Sequence, residues 1–151
     1  MNICSRIALG LAVLTTSVSA ETTVPISDYS VRITLSETAA AKLASSGEWL
    51  HVWAHYFGYP IKEEDGDESG EIPLGSEETD IATAGSVDLG KIDISAAELR
   101  KVKGGAPTLL INVYTSRKVF EDNLLHCGLF EDLVEVASRK PVEIHCKLIG
   151  E

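Results

Sequence analysis

The chain has 151 residues, of which 44% are hydrophobic, and this is the size and composition of one globular domain. Its formal net charge is -10 at pH 7, which argues against nucleic acid and anionic lipid as partners because both require a basic patch. The same charge is compatible with a cationic partner, or simply with keeping a secreted protein in solution.

The first twenty residues are organised like a secretory signal. Arg6 stands near the start, an apolar run covers Ile7 to Leu14, and Val18 and Ala20 occupy the two small-residue positions of an A-x-A-like cleavage site. The run is shorter than the roughly 20 residues that span a bilayer. We therefore expect cleavage after Ala20, one compact domain over residues 21–151, no membrane insertion, and a periplasmic or secreted product.

Two cysteines remain if Cys4 is removed with the signal. An even number of cysteines in an oxidising compartment indicates one disulfide, here Cys127–Cys146. Closing its loop would stabilise the fold by about 3 kcal/mol. A zinc site that adds His126 and His145 is disfavoured, because adjacent residues on a strand point to opposite faces.

The first half of the predicted domain contains signals for two strands and a helix. Residues 30–35 alternate between apolar and polar side chains, which indicates a half-buried strand. Ser36 can cap a short helix over residues 37–44 that ends near Gly47. Residues 48–57 predict a second strand, although their length also permits a helix.

Residues 62–80 form a charged stretch that we expect to be a solvated, acidic loop. Its opening resembles a calcium-binding loop, with oxygen ligands from Asp65, Asp67 and Ser69 at the first, third and fifth positions. Ser76 stands where such a loop needs a bidentate glutamate. Calcium is therefore a possible cofactor, and a plain connector is the alternative.

The second half predicts mainly strands. Alternating apolar residues and turn residues indicate strands within 87–94, 108–114 and 142–148, with a bend at Gly90. Ser95 and Glu98 form a capping box that should start a short helix. Helical spacing over residues 130–137 suggests another helix before Pro141.

These elements predict a mainly β fold, with antiparallel sheets packed as a sandwich and two or three short helices in the connections. An α+β fold is the alternative. Several short strands separated by turns, with few inserted helices, favour the first over alternating βαβ units.

The segment from Trp49 to Phe57 is the leading candidate for a binding site. On a strand, alternate side chains share one face at about 6.8 Å spacing, which makes a row of Trp49, His51, Trp53, His55 and Phe57. Exposed, the row could bind a protein or a glycan; the alternatives are a covering helix or the reverse orientation. A metal shared by His51 and His55 is disfavoured, because they would be about 13 Å apart on a strand.

Catalytic motifs give little support to an enzyme. The sequence has no GxSxG elbow, HExxH helix or phosphate-cradling glycine loop, although a catalytic set assembled in space remains open. We expect an exported envelope binding protein, most concretely an inhibitor or immunity-type protein that occupies a basic protein partner. A sugar- or calcium-binding module is the second hypothesis, and a hydrolase the third.

Overall fold

The computed structural model describes residues 20–151. All but the last residue of the predicted signal, with Cys4, lies outside the described residues. The strands are β1 (Thr23–Pro25), β2 (Tyr29–Leu35), β3 (Leu50–Gly58), β4 (Ile72–Ile81), β5 (Gly85–Leu89), β6 (Asp93–Ser95), β7 (Thr108–Thr115), β8 (Leu125–Cys127), β9 (Phe130–Leu133) and β10 (Val142–Leu148). The α-helices are α1 (Glu37–Ser46), α2 (Ala96–Leu99) and α3 (Val134–Arg139), and short 3₁₀ turns cover Glu63–Asp65 and Lys103–Gly105.

Two four-stranded sheets make up most of the protein. One has the strand order β5-β2-β10-β8 and the other β4-β3-β7-β9, while β1 and β6 form a small separate pair. The described residues thus give a β-rich α+β fold with three short helices, and the predicted fold class is confirmed. One strand pair differs from the predicted antiparallel sheets, because β2 and β10 pair in parallel. They are far apart in sequence, so no hairpin dictates their direction.

The inner faces of the two sheets meet in one hydrophobic cluster. Each long strand contributes alternate apolar residues, as the sequence pattern predicts. Val31 and Ile144 come from one sheet, and Val52 and Ile111 from the other, and all four are at most 2% exposed. Strand alternation therefore decides which side of each sheet remains available to solvent.

Helix α1 forms as its sequence predicts. The Ser36 hydroxyl accepts a hydrogen bond from the Ala39 amide at 3.2 Å, which satisfies one of the free amides of the first turn. At the other end Gly47 adopts a φ of 74° and its amide donates to the Leu43 carbonyl. A left-handed glycine of this kind ends many helices.

The prediction of an acidic loop over residues 62–80 is wrong for the second half of that segment. Ile72–Ile81 forms β4, which pairs antiparallel with β3 at the edge of its sheet. Ile72 and Leu74 are buried at its start, but the remainder is mostly polar. Polar and charged side chains are common on edge strands because they discourage pairing with other chains. Here they leave no apolar pattern from which the strand could be predicted.

The helix predicted over residues 130–137 begins later than expected. Phe130–Leu133 instead forms β9, which pairs with β7, and α3 follows directly from Val134. Pairing with β7 overrides the helical spacing of these residues. Within residues 20–151 no helix is both long and apolar enough to cross a bilayer.

The predicted disulfide is confirmed. Cys127 and Cys146 are directly opposite one another in the pairing of β8 with β10, and their Cα atoms are 4.0 Å apart. Cys146 is fully buried, so the bridge fixes an edge strand to the core. An intramolecular disulfide fits an oxidising, extracytoplasmic compartment.

Candidate functional site

Strand β3 turns one set of side chains inward and the predicted binding row outward. The inward set is fully buried, at 0% exposure: Leu50, Val52, Ala54 and Tyr56. The outward set is half-buried: Trp49, His51, Trp53 and His55. Phe57 follows the same alternation but is only 2% exposed. The structure thus places the row on the solvent side of its sheet, and its role in binding stays a prediction.

Neighbouring strands extend the row into a continuous surface, which we call the aromatic face. Its members lie beside β3 in the sheet register and on the same side of the sheet. Besides the row on and next to β3, the aromatic face consists of Ser76, Glu78 and Asp80 from β4, Leu110, Asn112 and Tyr114 from β7, and Glu131 from β9.

The rings of the aromatic face contact one another. Trp53 stacks on His55 with centroids 5.2 Å apart and an interplanar angle of 12°, and His55 stacks on Phe57 at 5.5 Å. His51 instead contacts Tyr114, at 4.8 Å. Such contacts are each worth about 0.5–1.5 kcal/mol beyond the area that they bury, so the row is a preformed surface.

Carboxylates border the rings along β4. Asp80 Oδ1 lies 2.7 Å from His51 Nδ1, and Glu78 Oε2 lies 3.5 Å from His51 Nε2. The Glu78 side chain is 68% exposed and that of Asp80 43%. Glu131 on β9 is exposed at the opposite border. The aromatic face therefore combines flat apolar rings with accessible negative charge.

The outer face of the other sheet has an ordinary polar surface. It carries exposed side chains on its two central strands: Arg32 and Thr34 on β2, and Glu143, His145 and Lys147 on β10. Arg32 and Glu143 form an exposed ion pair at 3.3 Å, which contributes little to stability. The two outer faces of the same fold thus differ in kind, and aromatic residues are concentrated on one of them.

A buried carboxylate fixes the loop at one end of the aromatic face. Glu48 is 1% exposed. Its oxygens accept hydrogen bonds from the Ser116 hydroxyl and from the amides of Lys118, Val119 and Phe120, at 2.7–3.0 Å. Burial alone would raise the pKa of Glu48, but these hydrogen bonds outweigh it and lower the pKa to about 2.

This loop places a cation on the aromatic face. The Lys118 ammonium lies 3.1 Å from the centroid of the Trp49 ring, within the range of a cation–π interaction. Glu48 and Trp49 are adjacent in sequence, so the same turn of chain anchors the loop and presents the ring. The aromatic face already binds one positive charge of the protein itself.

A polar network ties strand β4 to the core beneath the aromatic face. The Tyr56 hydroxyl donates to the Glu77 carboxylate and is hydrogen-bonded to Tyr29 at 2.8 Å. The Gly90 amide also donates to Glu77, at 2.5 Å. Burial, followed by the hydrogen bond to Glu77, raises the pKa of Tyr56 far above its ordinary value. The network holds β4, and with it Glu78, in position.

The three residues predicted as calcium ligands lie in the turn before β4. The Asp67 carboxylate accepts hydrogen bonds from the Ser69 amide and hydroxyl and from the Glu71 amide, at 2.6–3.2 Å. Hydrogen bonding by Ser69 is the main cause that lowers the pKa of Asp67. Within residues 20–151, no three His, Cys, Asp or Glu side chains are grouped so as to hold a metal.

Several of these features have no signal in the sequence. The carboxylates of Glu78 and Asp80 fall in the stretch that the sequence predicts as a loop, and nothing local marks Glu48 as a buried anchor or Lys118 as a neighbour of Trp49. Comparison with family models, with curated proteins and with solved structures gives no match to this chain. The aromatic face is therefore the feature from which we infer a function.

Proposed function

We propose that this chain is an exported envelope binding protein, of an inhibitor or immunity type, and that it occupies a basic protein partner with its aromatic face. The observation that carries the proposal is the contrast between the two outer faces. Trp and Tyr are enriched among the anchors of protein interfaces, and within residues 20–151 they lie beside accessible carboxylates on the outer face of one sheet. The other sheet has an ordinary polar exterior.

Net charge supports a basic partner. Removal of residues 1–20 would take away Arg6 and no acidic residue, which shifts the net charge from -10 to -11. A strongly negative protein attracts cationic partners at long range and so accelerates their association. Glu78, Asp80 and Glu131 supply negative charge at the proposed contact surface itself. A second copy of this chain would be repelled by the same charges.

Periplasmic or secreted localisation belongs to the same proposal. The signal-like segment and the confirmed disulfide both support export. Encounter with a toxic or hydrolytic basic protein outside the cytoplasm is the setting in which an inhibitor of this charge would act.

Capture from an envelope extract tests the proposal. The purified protein is used as bait beside two variants, Trp53→Ala on the aromatic face and Glu143→Gln on the opposite sheet. We expect the wild type and Glu143→Gln to retain one basic protein that elutes with salt, and Trp53→Ala to lose it. Equal capture by all three baits would contradict a role for the aromatic face.

A glycan is the second candidate ligand, because a polar cleft adjoins the aromatic face. The cleft has a volume of about 400 Å³, and its lining includes Asn112, Tyr114 and Asn123. Amide and hydroxyl groups next to aromatic rings suit sugar recognition. Retention of the wild type on glycan beads without salt sensitivity, again lost in Trp53→Ala, would favour this candidate over a basic protein.

A further inference from the structure

The two tryptophans of the aromatic face differ in what already contacts them. Trp49 has the Lys118 ammonium 3.1 Å from its ring centroid. The Lys118 amide is held by Glu48 at 3.0 Å, so this cation belongs to an anchored loop. The contact shows that the aromatic face accepts a cation on an indole ring, and it leaves Trp53 as the indole available to a partner.

Trp53 places a half-buried ring beside an accessible carboxylate. One side of its ring stacks on His55 at 5.2 Å. His51, on the other side, contacts Tyr114 and Asp80, and its Nε2 lies 3.5 Å from Glu78 Oε2. Trp53 and Glu78 are direct partners across β3 and β4, a position that brings side chains to within about 5 Å at Cβ. Glu78 is 68% exposed.

A flat ring beside a carboxylate suits a guanidinium group better than an ammonium group. Guanidinium is planar, weakly hydrated and able to stack on a ring while it donates two parallel hydrogen bonds to a carboxylate. Lysine presents a compact, strongly hydrated charge that gains less from stacking. We propose that Trp53 and Glu78 form a subsite for an arginine side chain of the partner. This inference rests on the proposed function, because it assigns the partner's contact on the same aromatic face.

Two short peptides of equal charge test the subsite. Fluorescently labelled tetra-arginine and tetra-lysine amides are titrated with the purified protein at low ionic strength, and their anisotropy is measured. We expect the arginine peptide to bind roughly five- to tenfold more tightly, as one stacked, bidentate contact provides. Glu78→Gln and Trp53→Leu should each reduce this ratio to about one.

Glu143→Gln is the matched control. It makes the same charge change at a carboxylate of similar exposure, 59% against 68%, on the opposite sheet. The ratio of the two affinities should remain at its wild-type value in this variant. Circular dichroism melts of all variants establish that each is folded when it is titrated.

The outcomes separate the subsite from the proposed function. Equal affinity of the wild type for both peptides would overturn the arginine subsite and leave a general basic partner standing. An arginine preference that survives in both Glu78→Gln and Trp53→Leu would overturn the assignment to these residues. Binding of neither peptide would contradict the subsite and the proposed function together.

Discussion

Replacement of Glu48 by glutamine should destabilise the protein although it removes only one charge and changes no volume. Glu48 Oε1 accepts hydrogen bonds from the Ser116 hydroxyl and from the amides of Trp49 and Lys118, and Oε2 accepts from the amides of Val119 and Phe120. In glutamine one of these oxygens becomes an NH₂ group. Whichever way the side chain is oriented, two backbone amides then face the NH₂ group: those of Trp49 and Lys118, or those of Val119 and Phe120. Buried donors without acceptors are costly.

The magnitude follows from the depressed pKa of Glu48, which lies at about 2 against an ordinary 4.5. At about 1.4 kcal/mol for each pKa unit, the difference in pKa corresponds to roughly 3.5 kcal/mol. The loop that encloses the carboxylate is itself at the surface and partly screened by solvent, so we expect a loss of roughly 2 to 3 kcal/mol in the free energy of unfolding at pH 7.

The sign of the pH dependence is fixed by the direction of the shift. A carboxylate whose pKa is lower in the folded state stabilises that state above its unfolded pKa, and the contribution disappears as the pH falls toward the folded pKa. The gap in stability between wild type and Glu48→Gln should therefore be largest at pH 7. It should narrow as the pH falls from 4.5 toward about 2.

Urea denaturation of both proteins over this pH range measures the gap. Glu143→Gln serves as the control, because its carboxylate is exposed and should show almost no gap at any pH. A gap for Glu48→Gln below about 0.5 kcal/mol at pH 7, which is typical of surface substitutions, would refute the anchoring role. So would a gap that does not narrow on acidification.

Three further predictions concern strand β3, the disulfide and the turn before β4. Val52→Ala should lower the free energy of unfolding by about 2 kcal/mol, because Val52 is 0% exposed, whereas Trp53→Ala should lower it by no more than about 1 kcal/mol. Denaturant unfolding of both variants measures the two losses, and a larger loss for Trp53→Ala would place the row in the core. The oxidised protein should show no reactive thiol, and reduction of Cys127–Cys146 should lower stability by about 3 kcal/mol; two titratable thiols before reduction would contradict the bridge. Millimolar calcium should leave the melting temperature unchanged, because Asp67 already accepts hydrogen bonds from its own turn; a rise that Asp67→Ala abolishes would establish a calcium site.

The sequence predicts best those parts of the fold whose determinants are local. Helix α1 follows from a serine cap and a terminal glycine, β10 from strict alternation of apolar residues, and β7 from a short apolar run that contains β-branched residues. In these cases the residues that decide the structure lie close together along the chain. The disulfide follows instead from the two cysteines that remain after removal of the predicted signal, which are 19 residues apart.

Strand β4 could not be predicted because its strand conformation comes from its partner. Its residues 75–80 contain no apolar side chain, so no hydrophobic period marks them. Their hydrogen bonds to β3 and the anchoring of Glu77 by Tyr56 and the Gly90 amide hold them extended. The sequence therefore does not predict that the β4 carboxylates, Glu78 and Asp80, belong to the aromatic face.

The sequence predicts the residues of the candidate row on β3 but not the residues around them, and the role of the row in binding stays a prediction. Alternation along β3 identified the row of Trp49, His51, Trp53 and His55, but it does not by itself say which face is buried. The contact between Lys118 and Trp49, and the anchoring of the loop by Glu48, join residues about 70 apart in sequence. Contacts of this kind are set only when the chain folds.

The affinity of Trp53→Ala for a basic partner is the most direct test of the central claim that the aromatic face is a binding surface. With the captured basic protein as titrant, calorimetry compares wild type, Trp53→Ala and the opposite-face control Glu143→Gln. We predict that Trp53→Ala weakens binding by about 2 kcal/mol or more, roughly thirtyfold in Kd, while its melting temperature falls by no more than several degrees. The control should lose no affinity. Equal affinity of wild type and Trp53→Ala, with both proteins folded, would contradict the claim.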